Sequence, residues 1–271
     1  MTQDEIAQAA AQLLGADLAG WYPVSGGDRT RVLRLRLISG EEVIAKTGPD
    51  PRAEAAMLIA IRAAGVPAPR VLGATPRVLV MEALEETGGL SSSGWQELGA
   101  ALRRLHQVPG IAYGWEHDFA FGKVAIRNAP LPTWPDFWAD RRLLADLSAL
   151  PSAFARRLER LAQDLPQRLP ATPAPVLLHG DLWSGNVLAA DGHLSGVIDP
   201  ACYCGHGEVD LAMLALFGSP GAAFYNGYGP LEPGVEERRP IYQLWPAIVH
   251  LRLFGGGYAG LLDGLLRQAG V

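Results

Sequence analysis

Residues 178–187 read Leu178-His179-Gly180-Asp181-Leu182-Trp183-Ser184-Gly185-Asn186-Val187, and residues 198–200 read Ile198-Asp199-Pro200. The apolar run Val176-Leu177-Leu178 is expected to form a short buried strand that ends in a polar loop carrying Asp181. Asn186 follows five residues later, and Asp199 stands thirteen residues beyond it, at the end of another short strand. An Asn oxygen and a carboxylate are hard ligands that suit Mg²⁺. A separate carboxylate can orient a hydroxyl group and take its proton. His179 is expected to support the loop by hydrogen bonding rather than to move protons, and Asp210 to buttress it.

Upstream, Lys46 ends the strand-like run Val43-Ile44-Ala45-Lys46. A fixed ammonium at that place can hold nucleotide phosphates, as the lysine of a V-A-I-K strand does. Glu54 lies eight residues on, inside the helix that follows, and is placed to pair with it. Ser25-Gly26-Gly27-Asp28 falls between two strands, where backbone N–H groups of Gly26 and Gly27 can cover phosphates. Leu79-Val80-Met81-Glu82-Ala83-Leu84 is an apolar strand that could cradle adenine, with Met81 among the nucleotide-binding candidates and backbone groups of Glu82 to Leu84 at its edge. The expected cofactors are therefore ATP and Mg²⁺.

The rest of the chain fits around these parts. Residues 2–14 have a helical apolar face, with Thr2 and Glu5 as a capping box. Residues 20–82 read as strand, strand, strand, helix, strand, strand, with Pro51 opening the helix and Gly65 closing it. Beyond residue 84 the pattern turns helical over 93–106, 134–149 and 151–169, and again from about 207 to the end. Short strands are expected at 176–178, 187–189 and 195–198. The expected fold class is α+β: a small antiparallel β-sheet lobe with one helix over residues 1–84, and a larger, mainly helical lobe over residues 85–271. Together these form a bilobal, protein-kinase-like arrangement with the site in the cleft.

Composition narrows the setting. With 49% hydrophobic and 19% charged residues the chain is ordinary globular material, which excludes wholesale disorder. At 271 residues it can bury enough surface to fold without disulfides. The net charge of −5 argues against nucleic acid as a partner. Asp4 and Glu5 stand where a signal peptide would carry basic residues, and no long uncharged apolar stretch appears, so a cytoplasmic protein away from membranes is expected. Three decoys are set aside. Gly255-x-Gly257-x-x-Gly260 has the dinucleotide-fingerprint spacing but no strand before it. His206-Gly207-Glu208 matches half of a zinc-deaminase motif, but no Pro-Cys-x-x-Cys follows. Cys202 and Cys204 lack nearby partners for a soft metal.

The segment around Asp181 resembles the protein-kinase-like superfamily in its aminoglycoside-phosphotransferase-like branch, with Gly180 where protein kinases have Arg. More narrowly, the chain is similar to the fructosamine/ketosamine-3-kinase family. The resemblance rests on the 178–187 run, Ile198 to Ala201, Tyr203, Gly205 to Glu208 and Asp210 to Met213, with further matches at Gly114-Trp115-Glu116, Asn128 and Trp134 to Leu143. It implies an ATP-dependent kinase acting on the sugar 3-hydroxyl of ketosamines (fructosamine, ribulosamine or erythrulosamine), a deglycation step that frees the amine. In that frame Lys46, held by Glu54, grips the phosphates, Asn186 and Asp199 bind Mg²⁺, and Asp181 is the catalytic base. Trp183, His206 and Glu208 are candidate substrate contacts, and Asp118 and Asn128 candidates for the substrate rim. An aminoglycoside- or choline-type kinase and a nucleotide-binding pseudokinase are the alternatives. The phosphate loop lacks the cysteine that some relatives use as a redox switch.

Overall fold

A computed structural model describes residues 1–24 and 31–271, so Gly26 and Gly27 lie outside the described residues. The chain opens with α1 (Gln3–Leu14). The Thr2 hydroxyl accepts from the Glu5 N–H at 3.2 Å, and the Glu5 carboxylate accepts from the Thr2 N–H at 2.8 Å, the expected reciprocal cap. Then come β1 (Leu18–Val24), β2 (Val32–Leu37), β3 (Glu42–Lys46), α2 (Pro51–Ala63), β4 (Val71–Ala74) and β5 (Leu79–Glu82). The five strands form one antiparallel sheet in the order β1-β2-β3-β5-β4.

Side chains alternate between the faces of a strand. Leu33, Leu35, Leu37, Val43, Ala45 and Val80 therefore share one face and bury against Ile6, Ala7 and Ala10 of α1. The opposite parity puts Val32, Arg34, Ile44, Lys46 and Met81 around a common cleft. A one-residue slip of β3 would carry Lys46 to the α1 face, so the apolar pattern that fixes register also aims the lysine.

The second part contains α3 (Ser92–Leu105), β6 (Phe119–Phe121), β7 (Val124–Ile126), α4 (Trp134–Trp138), α5 (Ser152–Arg168), β8 (Val176–Leu178), β9 (Val187–Ala190), β10 (His193–Val197) and β11 (Tyr203–Gly205). It ends with α6 (Glu208–Leu216), α7 (Ala222–Tyr228), α8 (Val235–Phe254) and α9 (Ala259–Gln268). Two features depart from expectation. Residues 134–149 do not form one helix: after α4 the Leu144 N–H donates to the Ala139 carbonyl at 2.8 Å, five residues back. That widened turn breaks the 3.6-residue period. It leaves Arg142, 1% exposed, in the core, its guanidinium 4.1 Å from the Tyr203 ring centre and 5.0 Å from that of Phe137. The strands β6, β7 and β11 are the other departure. They are three residues each, too short for a period, and β11 exists through its pairing with β8. Among the described residues no helix is long and apolar enough to cross a membrane.

Candidate active site

Lys46 is the last residue of β3, and its Nζ lies 2.7 Å from Glu54 Oε1 and 2.7 Å from Asp199 Oδ1. Glu54 sits in the first turn of α2, whose start is set by Pro51 and by the Asp50 carboxylate accepting from the N–H groups of Arg52 and Ala53. Lys46 and Glu54 are buried, while the Asp199 side chain is 41% exposed. Burial works against the ammonium, but Glu54 and Asp199 outweigh it and raise the Lys46 pKa. The lysine is thus a fixed positive charge.

Asp199 adopts a left-handed backbone, φ 56°. A non-glycine residue there costs about 1 kcal/mol, and its neighbours hold it in place. The Ile198 N–H donates to the Asn186 carbonyl at 3.0 Å, and the Ala201 N–H donates to the His179 carbonyl at 2.9 Å. The loop bearing Asp199 is therefore stitched on both sides to the loop bearing Asp181.

His179 is fully buried, and burial pushes its pKa down. Its Nε2 lies 3.0 Å from the Ile198 carbonyl, and its Nδ1 lies 3.3 Å from the Asp181 backbone nitrogen. That pairing assigns a neutral ring that donates through Nε2 and accepts at Nδ1. The Asp210 carboxylate accepts from the His179 N–H at 2.8 Å and the Gly180 N–H at 2.9 Å, and its Oδ2 lies 3.1 Å from His106 Nε2. Burial pushes the Asp210 carboxyl up, but the hydrogen bond from His106, the nearby histidines and the Gly180 N–H hold it below its usual range. Gly180 has φ 80°, and a Cβ there would run into the Ala201 carbonyl. A side chain at this position, such as the arginine of protein kinases, does not fit this loop.

Asn186 Nδ2 donates to the Asp181 carbonyl at 2.8 Å and to Asp181 Oδ2 at 3.1 Å. With the nitrogen committed, the amide oxygen is the atom Asn186 has left for a cation. Asp199 likewise has its Oδ2 beyond the oxygen held by Lys46. This donor set fits a hard divalent metal. Burial pushes the Asp181 carboxyl up to about 7, with Asn186 pulling it partly back and Asp199 adding to the rise.

Three cavities meet this cluster. The first holds Lys46 and Asp199 with Met81, Glu82 and Leu84, between Val24, Val32 and Ile44 on one side and Leu188 and Ile198 on the other. Those five apolar walls escaped the sequence reading, because nothing local marks them as a pair of facing surfaces. Glu82 spends its N–H on the Arg70 carbonyl and its carboxylate on the Arg70 N–H. Of the expected edge groups, this leaves its carbonyl and the chain at Ala83 and Leu84 to meet a base. The second cavity joins Lys46, Glu54 and Asp199 to Asp181 beneath Phe119 to Gly122. The third joins Asp181 to Phe121, Met213, Trp245 and His250.

The expected substrate residues divide. Trp183 is 40% exposed, its ring packed over Gly185 and edge-on to Phe217 at 6.5 Å between centres. The Phe217 ring lies tilted against His250, 4.5 Å between centres, so an aromatic row runs from Trp183 to the Asp181 cavity. Phe217 and His250 were missed, although His250, Phe254 and Tyr258 recur every four residues and form a ring cluster. His206 and Glu208 do not join this group. They are buried and line a separate cavity with His106 and Tyr228. Asn128 does not reach the rim either: it is 1% exposed, its amide nitrogen donates to the His117 carbonyl and its oxygen accepts from Arg142. Asp118 accepts from the Asn128 N–H at 2.7 Å, which leaves the Phe119–Phe121 strand as the overhang above Asp181.

The sequence model of the fructosamine kinase family matches residues 42–269. A Synechocystis protein assigned as a ketoamine kinase is 38% identical over 70% of this chain and 66% of its own length. One from Lactiplantibacillus plantarum with the same assignment is 34% identical over 95% and 97%. The crystal structure of a Thermobifida fusca protein assigned as a fructosamine-3-kinase superposes with a TM-score of 0.88 at 32% identity, covering 99% of both chains. At 16% identity, the ADP-bound structure of an aminoglycoside phosphotransferase shares the fold with a TM-score of 0.66 over 98% of both chains.

The chain belongs to the fructosamine kinase family.

Proposed function

We propose that this family member transfers the γ-phosphoryl group of ATP to the 3-hydroxyl of a ketosamine, a sugar joined to an amine through an Amadori-type linkage. One observation carries the reading: Lys46, clamped by Glu54 and Asp199, opens onto the same cavity as Asp181. Phosphoryl transfer asks a protein mainly for positioning and charge neutralisation. Adenine fits the slot between Val24, Val32 and Ile44 and Leu188 and Ile198, and a phosphotransferase of this fold is known bound to ADP. The lobe that forms the upper wall ends near residue 84.

Lys46 then holds the α and β phosphates. Asn186 and Asp199 hold the divalent ion, which we take to be Mg²⁺. When bound, that ion neutralises charge on the β- and γ-phosphate oxygens. Asp181 orients the acceptor hydroxyl and accepts its proton as the new P–O bond forms and ADP departs. A carboxyl near neutrality suits that role, since a base works best with a pKa close to the working pH. The aromatic row from Trp183 to His250 supplies flat faces for the sugar or the amine-bearing part. The 3-phosphate product decomposes and releases the amine. Free thiols at Cys202 and Cys204 suit a reducing, cytoplasmic setting.

The test is ATP consumption with Mg²⁺ on fructosyl-lysine, ribulosyl-lysine, erythrulosyl-lysine, kanamycin and choline, with the phosphate located by phosphorus NMR. Turnover on a ketosamine, lost in Asp181→Asn, is expected. Turnover on kanamycin or choline alone would overturn the substrate class, and an Asp181→Asn enzyme with normal turnover would overturn the base.

A further inference from the structure

The cavity that takes His206 and Glu208 away from the cleft has a volume of about 290 Å³. Its His206-Gly207-Glu208 stretch is the motif that the kinase reading leaves unused. His206 is 4% exposed, and its Nε2 is buried with no hydrogen-bond partner. That nitrogen lies 3.4 Å from Glu232 Oε2, outside hydrogen-bonding geometry. Among the described residues, His206, Glu208 and Glu232 are the one trio of metal-ligating side chains whose ligand atoms all lie within 4.8 Å of one another.

We propose that this cavity binds a divalent transition-metal ion of the zinc class, held by His206 Nε2 and the carboxylates of Glu208 and Glu232.

Zinc bonds of about 2.0–2.1 Å in a tetrahedral site place neighbouring ligand atoms roughly 3.3 Å apart. The separation of 3.4 Å from Nε2 to Glu232 Oε2 is already near that value, whereas the nearest approach of His206 to a Glu208 oxygen is 4.0 Å, from Nδ1, so the Glu208 carboxylate must move inward to bind. One imidazole and two carboxylates suit zinc, whereas Mg²⁺ prefers an all-oxygen, octahedral shell. The outer contacts are also in place. His206 Nδ1 lies 2.7 Å from the Tyr242 hydroxyl, which accepts from Trp134 Nε1 at 2.9 Å. In the tautomer that donates Nδ1–H to that oxygen, Nε2 carries the lone pair that a metal needs. Arg238 grips Glu208 through Nε at 2.8 Å and Nη2 at 2.5 Å, fixing the carboxylate while leaving it lone pairs to share. Glu232, 64% exposed at its side chain, makes no salt bridge to Lys or Arg among the described residues, although Arg238 lies near enough to attract it. A fourth position is left for water from the cavity.

Such an ion would tie the start of α6 to the loop before α8. The site is independent of the kinase reading, since none of its three ligands lines a cavity with Asp181 or Lys46.

The protein would be titrated with Zn²⁺, and with Co²⁺ as a spectroscopic probe, under excess Mg²⁺ to keep the catalytic site occupied. One equivalent bound, a Co²⁺ visible band of four-coordinate intensity and a raised melting temperature are expected. Glu232→Gln and His206→Gln should each weaken binding roughly tenfold or more, as loss of a metal-site group does. Should His206→Gln fail to fold, Glu232→Gln decides, because Glu232 is exposed. Asp199→Asn should bind Zn²⁺ as the unaltered protein does. No bound equivalent, undiminished binding in Glu232→Gln, or loss of binding in Asp199→Asn would each overturn the proposal.

Discussion

The Lys46 ammonium lies 2.7 Å from the Asp199 carboxylate across 153 residues of sequence, with Glu54 at the same distance on its other side. Three charges share one small volume, and two of them are buried. Removing one partner of a buried pair leaves the other uncompensated, which costs about 3–5 kcal/mol. Lys46→Met is therefore expected to raise KM for ATP, to lower kcat and to lower the melting temperature. The double variant Lys46→Met/Glu54→Gln discharges the stranded carboxylate. It should recover much of the stability and none of the activity, a split read by thermal melts alongside steady-state kinetics.

Asp181→Asn should lower kcat by roughly 10²–10⁴-fold, the usual contribution of a general base, with ATP binding by calorimetry unchanged. In the unaltered enzyme kcat/KM should fall as the pH drops through about 7, because Asp181 must be ionised to accept the proton. Stability runs the other way. Its pKa is raised from 3.8, so the fold favours the protonated acid, and the stability it lends is lost as pH rises from 3.8 to about 7. Asp181→Asn should thus melt higher than the parent above that range and alike below it.

Asp210 gives the opposite sign. Its carboxyl is held below 3.8, so its contribution is present above that value and disappears as pH falls through the depressed one. Asp210→Asn presents an N–H where the His179 or Gly180 N–H already points. A hydrogen bond to a charged group is worth about 1.5–3 kcal/mol, and the melting deficit should be at least that large at neutral pH. It should shrink in acid. Because Asp210 touches no reacting atom, kcat should fall through misplacement of Asp181, with the acid limb of the pH profile displaced.

Gly180→Ala should be worse than a surface glycine substitution. It combines a φ of 80° with a Cβ driven into the Ala201 carbonyl. Either the loop of Asp181 or that of Asp199 must move, so activity should drop at least tenfold, with a melting loss of about 1–2 kcal/mol or more from the backbone alone.

Trp183→Ala and His250→Ala probe the aromatic row. Trp183 is half out in solvent, so its removal should leave the melting temperature nearly unchanged. Both should raise KM for the acceptor while leaving KM for ATP alone. Equal effects on the two substrates would move the row out of the acceptor site.

The polar loop around Asp181 was legible because its contacts are local. Asp181 and Asn186 are five residues apart on one turn, and a hydrogen bond between them needs only that turn. Lys46 was legible for a related reason: alternation along β3 decides which face it takes, and the apolar residues at 43 and 45 declare the buried face. Glu54 follows from the helix that Pro51 starts. Spacing, parity and capping therefore determined the N-terminal sheet, most of the helices and which polar residues cluster.

Tertiary packing decided the rest. His206 and Glu208 lie within four residues of Asp210, yet they enter another cavity, because β11 pairs with β8 and Tyr242 and Arg238 of α8 capture the two side chains. Arg142 becomes core through one extra residue in a turn and the rings of Phe137 and Tyr203 around it. His250, 69 residues along the chain from Asp181, reaches the Asp181 cavity from α8. Such contacts depend on which surfaces of distant elements complement one another in shape and hydrogen bonding. A period of 2 or 3.6 residues states which side of an element is buried, but not what it is buried against.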